Sequence, residues 1–136
     1  MTDHVQPETR SLIMAAVASK DTTPERAVRS IVHKLGYRYR LHAADLPGKP
    51  DLVFPSRRKI IFIHGCFWHR HPRCRYTSQP KTHVTFWEDK FHSNVARDRR
   101  VQRELRKLGW EILIVWQCEL KNPEKLLRRL DDFLVA

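Results

Sequence analysis

The chain has 136 residues, 41% of them hydrophobic, and its 26 Lys and Arg against 15 Asp and Glu residues give a net charge of +11. This length suits one domain with its own core, and the apolar fraction excludes a disordered polycation. The positive charge predicts an anionic partner, with nucleic acid ahead of a membrane surface. No apolar run reaches the roughly 18 residues of a membrane span, and residues 1–10 carry no signal-peptide core. We therefore expect a cytoplasmic, single-domain protein over residues 1–136, with residues 1–9 as a flexible arm.

Hydrophobic spacing and turn residues predict helices and strands in the order α-α-β-β-β-α-β-α. The predicted helices cover residues 10–19, 24–35, 86–108 and 123–134, and the second begins after an N-cap at Thr23 and stops at Gly36. The predicted strands cover residues 37–42, 51–54, 59–63 and 111–116. The runs over 59–63 and 111–116 are apolar without alternation, which is typical of central strands. The pattern predicts an α/β fold with a mixed sheet flanked by helices.

Cysteine and histidine are concentrated between residues 64 and 74, at the start of a segment (65–81) predicted to be irregular. An odd number of cysteines without a secretory signal favours reduced thiolates over a disulfide scaffold. The preferred ligand set for a structural, tetrahedral zinc ion is Cys66, His71, Cys74 and Cys118. Cys118 follows the strand predicted over 111–116. The alternative is three buried free cysteines with scattered surface histidines.

Asp98 occupies a position where an ionised side chain is energetically unfavourable. The predicted helix over 86–108 carries an apolar stripe, and Asp98 is spaced to face inward with it; the stripe consists of Phe91, Val95, Val101, Leu105 and Leu108. Burying a bare carboxylate costs several kcal/mol, so Asp98 needs a partner or a cation. A cation at this position would indicate a functional site, whereas pairing with an inward Arg would be purely structural.

Other polar residues converge near the ends of two consecutive predicted strands. Asp51 begins one strand, His64 ends the next, and His69 follows in the Cys/His-rich loop. Asp51 could instead be an ordinary turn acid, and a lone histidine is more often a structural one. Glu25 has its own alternative, because with Thr22 as cap it completes a capping box.

Aromatic pairs stand among basic residues at two places, Phe67-Trp68 in the loop and Phe86-Trp87 at the start of the long helix. Such pairs suit base stacking or insertion into a duplex, although they could also cap the core. The outer face of the long helix carries Arg97, Arg99, Arg100, Arg103, Arg106 and Lys107. This face is either a solvated surface or a track for DNA phosphates.

Four segments of the chain closely resemble the very-short-patch repair (Vsr) DNA mismatch endonucleases. These are Leu-Pro-Gly-Lys-Pro-Asp ending at Asp51, Phe-Ile-His-Gly-Cys-Phe-Trp-His ending at His69, Asn-Val-Ala-Arg-Asp-Arg-Arg around Asp98, and Gly-Trp-Glu-Ile-Leu-Ile-Val-Trp ending at Trp116. The similarity covers about residues 10–133. It implies a restriction-endonuclease-like fold and an enzyme that nicks one strand 5′ to the T of a T·G mismatch, which arises when 5-methylcytosine deaminates.

The resemblance also implies a role for each matching residue. Asp51 matches the acid that binds catalytic Mg²⁺, with Ile63 contributing its backbone carbonyl, and His69 matches the catalytic histidine. His64, Glu25 and Asp98 match residues that hold waters around the metal. The zinc ligands correspond to Cys66, His71, Cys74 and Cys118, and the rings that wedge into DNA correspond to Phe67, Trp68 and Trp87. The expected partners of this monomeric enzyme are double-stranded DNA with a T·G mismatch, a mismatch-repair matchmaker protein and a repair polymerase.

Two departures from the family pattern concern the metal sites. Ile63 stands where a known member has Thr, so only its backbone carbonyl can serve the metal, and the zinc loop holds one extra residue before Cys74. Two other functions stay open at this point. One is a nicking endonuclease with broader mismatch or sequence choice, and the other is a zinc-stabilised DNA-binding module without catalysis.

Overall fold

The computed structural model describes residues 24–136, so the arm expected over 1–9, the helix predicted over 10–19 and the proposed caps Thr22 and Thr23 lie outside the described residues. The strands are β1 (Arg40–Leu41), β2 (Leu52–Phe54), β3 (Lys59–His64) and β4 (Glu111–Trp116). The helices are α1 (Pro24–Lys34), α2 (Val84–Lys107) and α3 (Pro123–Val135), with 3-10 turns at Pro55–Arg57 and Gln117–Lys121. Every helix in this part of the chain is too short or too polar to cross a bilayer.

The four strands form one mixed sheet in the order β1-β2-β3-β4. β1 and β3 both run antiparallel to β2, whereas β3 and β4 are parallel and are joined through α2. The parallel register pairs His64 with Trp116, so the carboxyl ends of β3 and β4 lie side by side. The segments that follow these two strands therefore start at the same edge of the sheet, which sets up the functional site.

Helices cover both faces of the sheet, as the sequence predicts. Adjacent residues of a strand point to opposite faces, and Ile60 and Ile61 accordingly belong to two different core clusters. Ile61 packs on the side of α1 and α3, with Ile31 and Leu130, whereas Ile60 packs on the side of α2, with Leu105. All five side chains are fully buried. The α/β class with a mixed sheet and flanking helices is confirmed for the described residues.

Three details differ from the sequence prediction. The strand predicted over 37–42 is formed only by Arg40–Leu41, because the Tyr37 N–H still donates to Val32 O of the preceding helix, at 3.3 Å. The predicted central position of β4 is wrong, because β4 pairs only with β3 among the described residues and forms the sheet edge. Leu108 is 53% exposed rather than part of the inward stripe, because α2 ends at Lys107 and its last core contact is Leu105.

A hydrogen bond between Tyr37 and Asp131 gives the fold a specific response to alkaline pH. The Tyr37 hydroxyl donates to Asp131 Oδ1 at 3.1 Å, and burial together with this bond raises the pKa of Tyr37 to about 12. A tyrosine whose pKa is raised in the folded state stabilises that state below its unfolded pKa of about 10 and loses the effect as pH rises towards 12. We expect Tyr37→Phe to be less stable than the wild type at pH 8 in urea unfolding, and the difference to shrink between pH 10 and 12. A constant difference would contradict this account.

Candidate active site and metal centre

A cavity of about 510 Å³ opens between the ends of β2 and β3, the loop after β3, and the middle of α2. Its lining includes Asp51, Ile63, His64, His69, Arg97 and Asp98. Four of these six residues come from the candidate catalytic set derived from the sequence. The structure therefore brings side chains from three separate segments to one concave surface.

Gly48 allows the loop before Asp51 to approach α2 closely. Its backbone has φ of +75°, and a Cβ at this position would lie 2.4 Å from Val101 Cγ1. Any side chain would be strained by the backbone conformation and would also collide with the helix. The Leu-Pro-Gly-Lys-Pro segment thereby brings Asp51 to the cavity that Asp98 of α2 also lines.

Asp51 stands just before β2, and one of its carboxylate oxygens is already engaged. The ladder between β2 and β3 ends at the pair Leu52 and Ile61, so the Ile63 N–H is left over and donates to Asp51 Oδ2 at 2.7 Å. Burial raises the pKa of Asp51, while the Ile63 N–H lowers it and the nearby Glu25 raises it. A half-buried carboxylate in this setting is suited to bind a cation, which would offset its desolvation.

His69 and Asp98 form a close pair across the cavity. His69 Nδ1 lies 2.7 Å from Asp98 Oδ2, and the two side chains are only 25% and 18% exposed. Asp98 does face inward as its spacing predicts, and its partner is a histidine rather than the inward Arg considered as an alternative. A carboxylate on Nδ1 holds the imidazole in the form with Nδ1 protonated, which leaves Nε2 as the basic nitrogen.

His64 lies beneath His69 as a neutral platform. The two rings stack with centroids 3.8 Å apart and planes 7° apart. Burial lowers the pKa of His64 to about 4, with the charge of His69 acting in the same direction and that of Asp98 opposing it. His64 is therefore uncharged near neutral pH, and it can donate or accept a hydrogen bond within the cavity.

Glu25 projects from the first turn of α1 towards Asp51, and His42 stands beside it. Ligand atoms of Glu25, His42 and Asp51 lie within 4.8 Å of one another. Glu25 Oε1 is buried and 2.7 Å from His42 Nε2, a distance that suits an ion pair, but it has no hydrogen bond within residues 24–136. A buried carboxylate oxygen close to Asp51 that makes this contact without a directed hydrogen bond fits a place for a cation or its waters.

Sequence reasoning did not identify His42. The residue ends the strand predicted over 37–42, and strand ends are where functional groups often lie, which is the one signal that could have singled it out. Its neighbour across the sheet edge is Asp51, since the His42 N–H donates to Asp51 O at 3.2 Å. That pairing joins residues nine positions apart and depends on the register of β1 and β2.

Cys66, His71, Cys74 and Cys118 form a second cluster at the same sheet edge. Their ligand atoms all lie within 4.8 Å of one another, and Cys118 Sγ is 3.5 Å from His71 Nδ1. A tetrahedral zinc ion with bonds of about 2.1 to 2.3 Å separates sulfur and nitrogen ligands by about 3.6 Å. The donor set and its spacing therefore fit a closed, four-coordinate metal site.

Burial favours the protonated thiols in this cluster when no cation is bound. Burial raises the pKa of Cys66, and it raises the pKa of Cys118 to about 12 with the neighbouring thiols acting in the same direction. A divalent ion reverses this effect because it stabilises the thiolates directly. Burial also lowers the pKa of His71, which favours the neutral imidazole that a metal requires.

The loop that carries this cluster combines strained backbone conformations with internal hydrogen bonds. Arg70 and Arg73 adopt left-handed backbone conformations with φ of +52° and +58°, which cost non-glycine residues of the order of 1 kcal/mol each. Thr77 supports the loop from inside, donating its hydroxyl to His71 O at 2.9 Å. The His71 N–H donates to Cys66 O at 3.0 Å. Coordination would fix the segment that carries both His69 and the aromatic pair.

Aromatic rings form a continuous group beside the cavity. Phe67, Trp68 and Trp87 lie with centroids between 5.3 and 6.1 Å apart, and Phe67 packs on the buried Phe91. Trp68 is 46% exposed and Phe86 is 59% exposed. Phe67 and Trp87 thus pack against the buried Phe91, whereas Trp68 and Phe86 are exposed to solvent. The basic residues predicted for the outer face of α2 are all exposed.

Comparison with known proteins agrees with the geometry. The family model described as DNA mismatch endonuclease Vsr matches residues 2–75. A type II nicking enzyme, V.XorIIP of Xanthomonas oryzae, is 51% identical over 134 residues, covering 98% of both chains. The DNA mismatch endonuclease Vsr of Escherichia coli is 44% identical over 126 residues, covering 93% of this chain and 80% of that protein. The type II nicking enzyme V.NmeAIP of Neisseria meningitidis is 40% identical over 131 residues, covering 96% and 93%.

Proposed function

Because this chain belongs to the Vsr family and is a DNA endonuclease, we propose that it nicks one strand 5′ to the T of a T·G mismatch. Such mismatches arise when 5-methylcytosine deaminates, and the nick would start very-short-patch repair. The single observation that carries the proposal is the cavity where Asp51, His69 and Asp98 converge. A DNA-binding module without catalysis has no use for that arrangement, and the family assignment sets that alternative aside.

Asp51 and the backbone carbonyl of Ile63 would hold Mg²⁺ in this enzyme. When bound, Mg²⁺ neutralises charge at the phosphate and stabilises the leaving oxygen. Asp51 retains lone pairs for this role because the Ile63 N–H engages only Oδ2. Glu25 and His64 would orient waters around the ion, and the buried Oε1 of Glu25, which accepts no hydrogen bond within the described residues, supports such a role.

His69 would transfer the proton at the scissile phosphate. Its Nδ1 is turned to Asp98, so its Nε2 is left to accept a proton from the attacking water or to deliver one. The stacked His64 ring fixes the plane of the imidazole. Asp98 acts through His69 and is therefore a positioning residue.

Zinc in the Cys66, His71, Cys74 and Cys118 cluster would be structural. Four protein ligands leave no open position for substrate, which is the mark of a structural site rather than a catalytic one. The ion would order the short segment between Cys66 and His71, where Phe67, Trp68 and His69 are located.

Basic residues would hold the DNA duplex, and aromatic side chains would open it. A net charge of +11 and the exposed arginines of α2 provide phosphate contacts without base specificity. Phe67, Trp68 and Trp87 would wedge between base pairs, at a cost of a few kcal/mol per unstacked step. A T·G wobble pair lowers that cost, so part of the selectivity comes from the ease of opening the mismatch.

Asp98→Asn is expected to lower kcat by about 100-fold with little change in KM. The asparagine can still orient the His69 ring, but it cannot balance the positive charge that the ring gains when it accepts a proton. Steady-state nicking of a T·G duplex measures both constants. The matched control is Asp89→Asn, which changes an exposed acid of the same helix and should leave both constants unchanged. A KM effect without a kcat effect would show that Asp98 serves DNA binding instead.

Trp68→Ala is expected to reduce T·G preference roughly tenfold, since a stacked aromatic ring contributes about 1–3 kcal/mol per base. Affinity for a fully matched duplex, which is not opened, should change much less. Competition binding with T·G and matched duplexes tests this. Equal losses on both duplexes would instead assign the ring to the core.

A panel of duplexes tests the proposed function as a whole. Each duplex carries one of the mismatches or a matched pair in varied flanking sequence, and nicks are mapped on each labelled strand in the presence of Mg²⁺. We expect one nick, 5′ to the T of T·G. Comparable cutting of several mismatches would support the broader nicking endonuclease, and no cutting of any mismatch would overturn the proposal.

A further inference from the structure

His42 stands at the proposed catalytic metal site as an additional nitrogen donor. It follows β1 directly, and its N–H donates to Asp51 O across the end of the β1–β2 ladder at 3.2 Å. Its side chain is 56% exposed, so the ring lies at the mouth of the site rather than in the core. Its backbone adopts a left-handed conformation with φ of +45°, which costs a non-glycine residue of the order of 1 kcal/mol.

The imidazole of His42 lies close to the carboxylates of both Glu25 and Asp51. His42 Nε2 and Glu25 Oε1 are 2.7 Å apart, yet the buried Oε1 makes no hydrogen bond among residues 24–136. Octahedral coordination with bonds of about 2.1 Å separates two ligand atoms by roughly 3 to 4 Å, which the positions of His42 and Asp51 allow. Asp51 completes the group, since the donor atoms of all three residues lie within 4.8 Å of one another.

We propose that His42 is a direct ligand of the divalent ion held by Asp51, so that this site has one nitrogen donor in addition to its oxygen donors. The inference rests on the proposed function insofar as Asp51 is taken to hold the catalytic ion. Mg²⁺ binds oxygen donors and gains little from an imidazole, whereas first-row transition ions bind nitrogen well. The site therefore binds Mn²⁺ more tightly than Mg²⁺, and His42 is the residue responsible for the difference.

Metal binding to the full chain, with the Cys/His cluster loaded with zinc, tests the inference without reference to activity. Free Mn²⁺ is measured by electron paramagnetic resonance, and Mg²⁺ affinity by its competition with Mn²⁺. His42→Gln should weaken Mn²⁺ binding by about tenfold or more and leave Mg²⁺ binding nearly unchanged. His33→Gln, an exposed histidine on α1, is the matched control and should change neither. Unchanged Mn²⁺ binding, or an equal loss for both ions, would overturn the inference.

A spectroscopic readout keeps the test decisive if His42→Gln affects folding. Bound Mn²⁺ in the wild type should show a nitrogen hyperfine coupling from a coordinated imidazole, and the coupling should persist in His69→Asn. Its absence in the wild type, or its loss with His69 alone, would contradict the assignment. Mg²⁺-dependent nicking by the wild type is scored separately. If the wild type nicks DNA but shows no nitrogen coupling, only the inference about His42 is contradicted. If it shows the coupling but does not nick, only the proposed function is contradicted.

Discussion

Asp51→Asn is expected to lower T·G nicking by about a thousandfold or more, equivalent to about 4 kcal/mol of transition-state stabilisation. Asparagine is nearly the same size as aspartate, and its carbonyl can still accept from the Ile63 N–H, so the local fold should persist. The variant loses the negative charge that would hold the divalent ion. Nicking rates under single-turnover conditions measure the loss, and binding to a T·G duplex should remain.

Asp45→Asn is the matched control for this experiment. Asp45 belongs to the same loop but is exposed, and its contact with Arg40 at 3.2 Å lies at the surface. Exposed ion pairs contribute little, so nicking should stay at the wild-type level. Substantial activity in Asp51→Asn, at saturating Mg²⁺, would show that the ion is held elsewhere.

Cys118→Ser is expected to abolish nicking and T·G preference together. Removing one of four ligands from a structural zinc site forfeits much of a binding free energy that is of the order of 10 kcal/mol, and that energy orders the loop. Since the loop carries Trp68 and His69 as neighbours, chemistry and wedge insertion should fail at once. Metal content by mass spectrometry, nicking and mismatch preference are measured on the same preparation.

The neighbouring exposed Gln117 provides the control for the second experiment. Gln117→Ser changes the same turn without removing a candidate ligand, so metal content and nicking should be retained. Prolonged chelation of the wild type should reproduce the Cys118→Ser phenotype, and added Zn²⁺ should reverse it. A metal-free Cys118→Ser protein that nicks T·G duplexes normally would remove the cluster from the account.

The sheet and its parallel pair could be predicted because their signals are local. Ile60, Ile61 and Phe62 are an uninterrupted apolar run, and the structure buries all three in the middle of the sheet. The parallel register then explains why the distant Cys118 meets the loop. Cys66 and Cys118 each follow by two residues a strand end, at the paired His64 and Trp116.

Features that depend on long-range pairing could not be predicted in the same way. The edge position of β4 could not be predicted from its sequence. Both faces of β4 are partly covered, as in a central strand, and only its outer hydrogen-bonding edge is without a partner strand within the described sheet. The approach of His42 to Glu25 depends on the meeting of α1 and β1 in space. Asp98 was recognisable as an inward acid from helical spacing, but its partner His69 lies on another segment.

The central claim is that an ion at Asp51 and the imidazole of His69 act on one phosphorus atom. Anomalous diffraction from crystals of the protein with a T·G duplex and Mn²⁺ tests it most directly. The account predicts a manganese peak about 2.2 Å from the Asp51 carboxylate, with the phosphate 5′ to the mismatched T between that peak and His69. A peak away from Asp51, or His69 directed away from that phosphate, would contradict it.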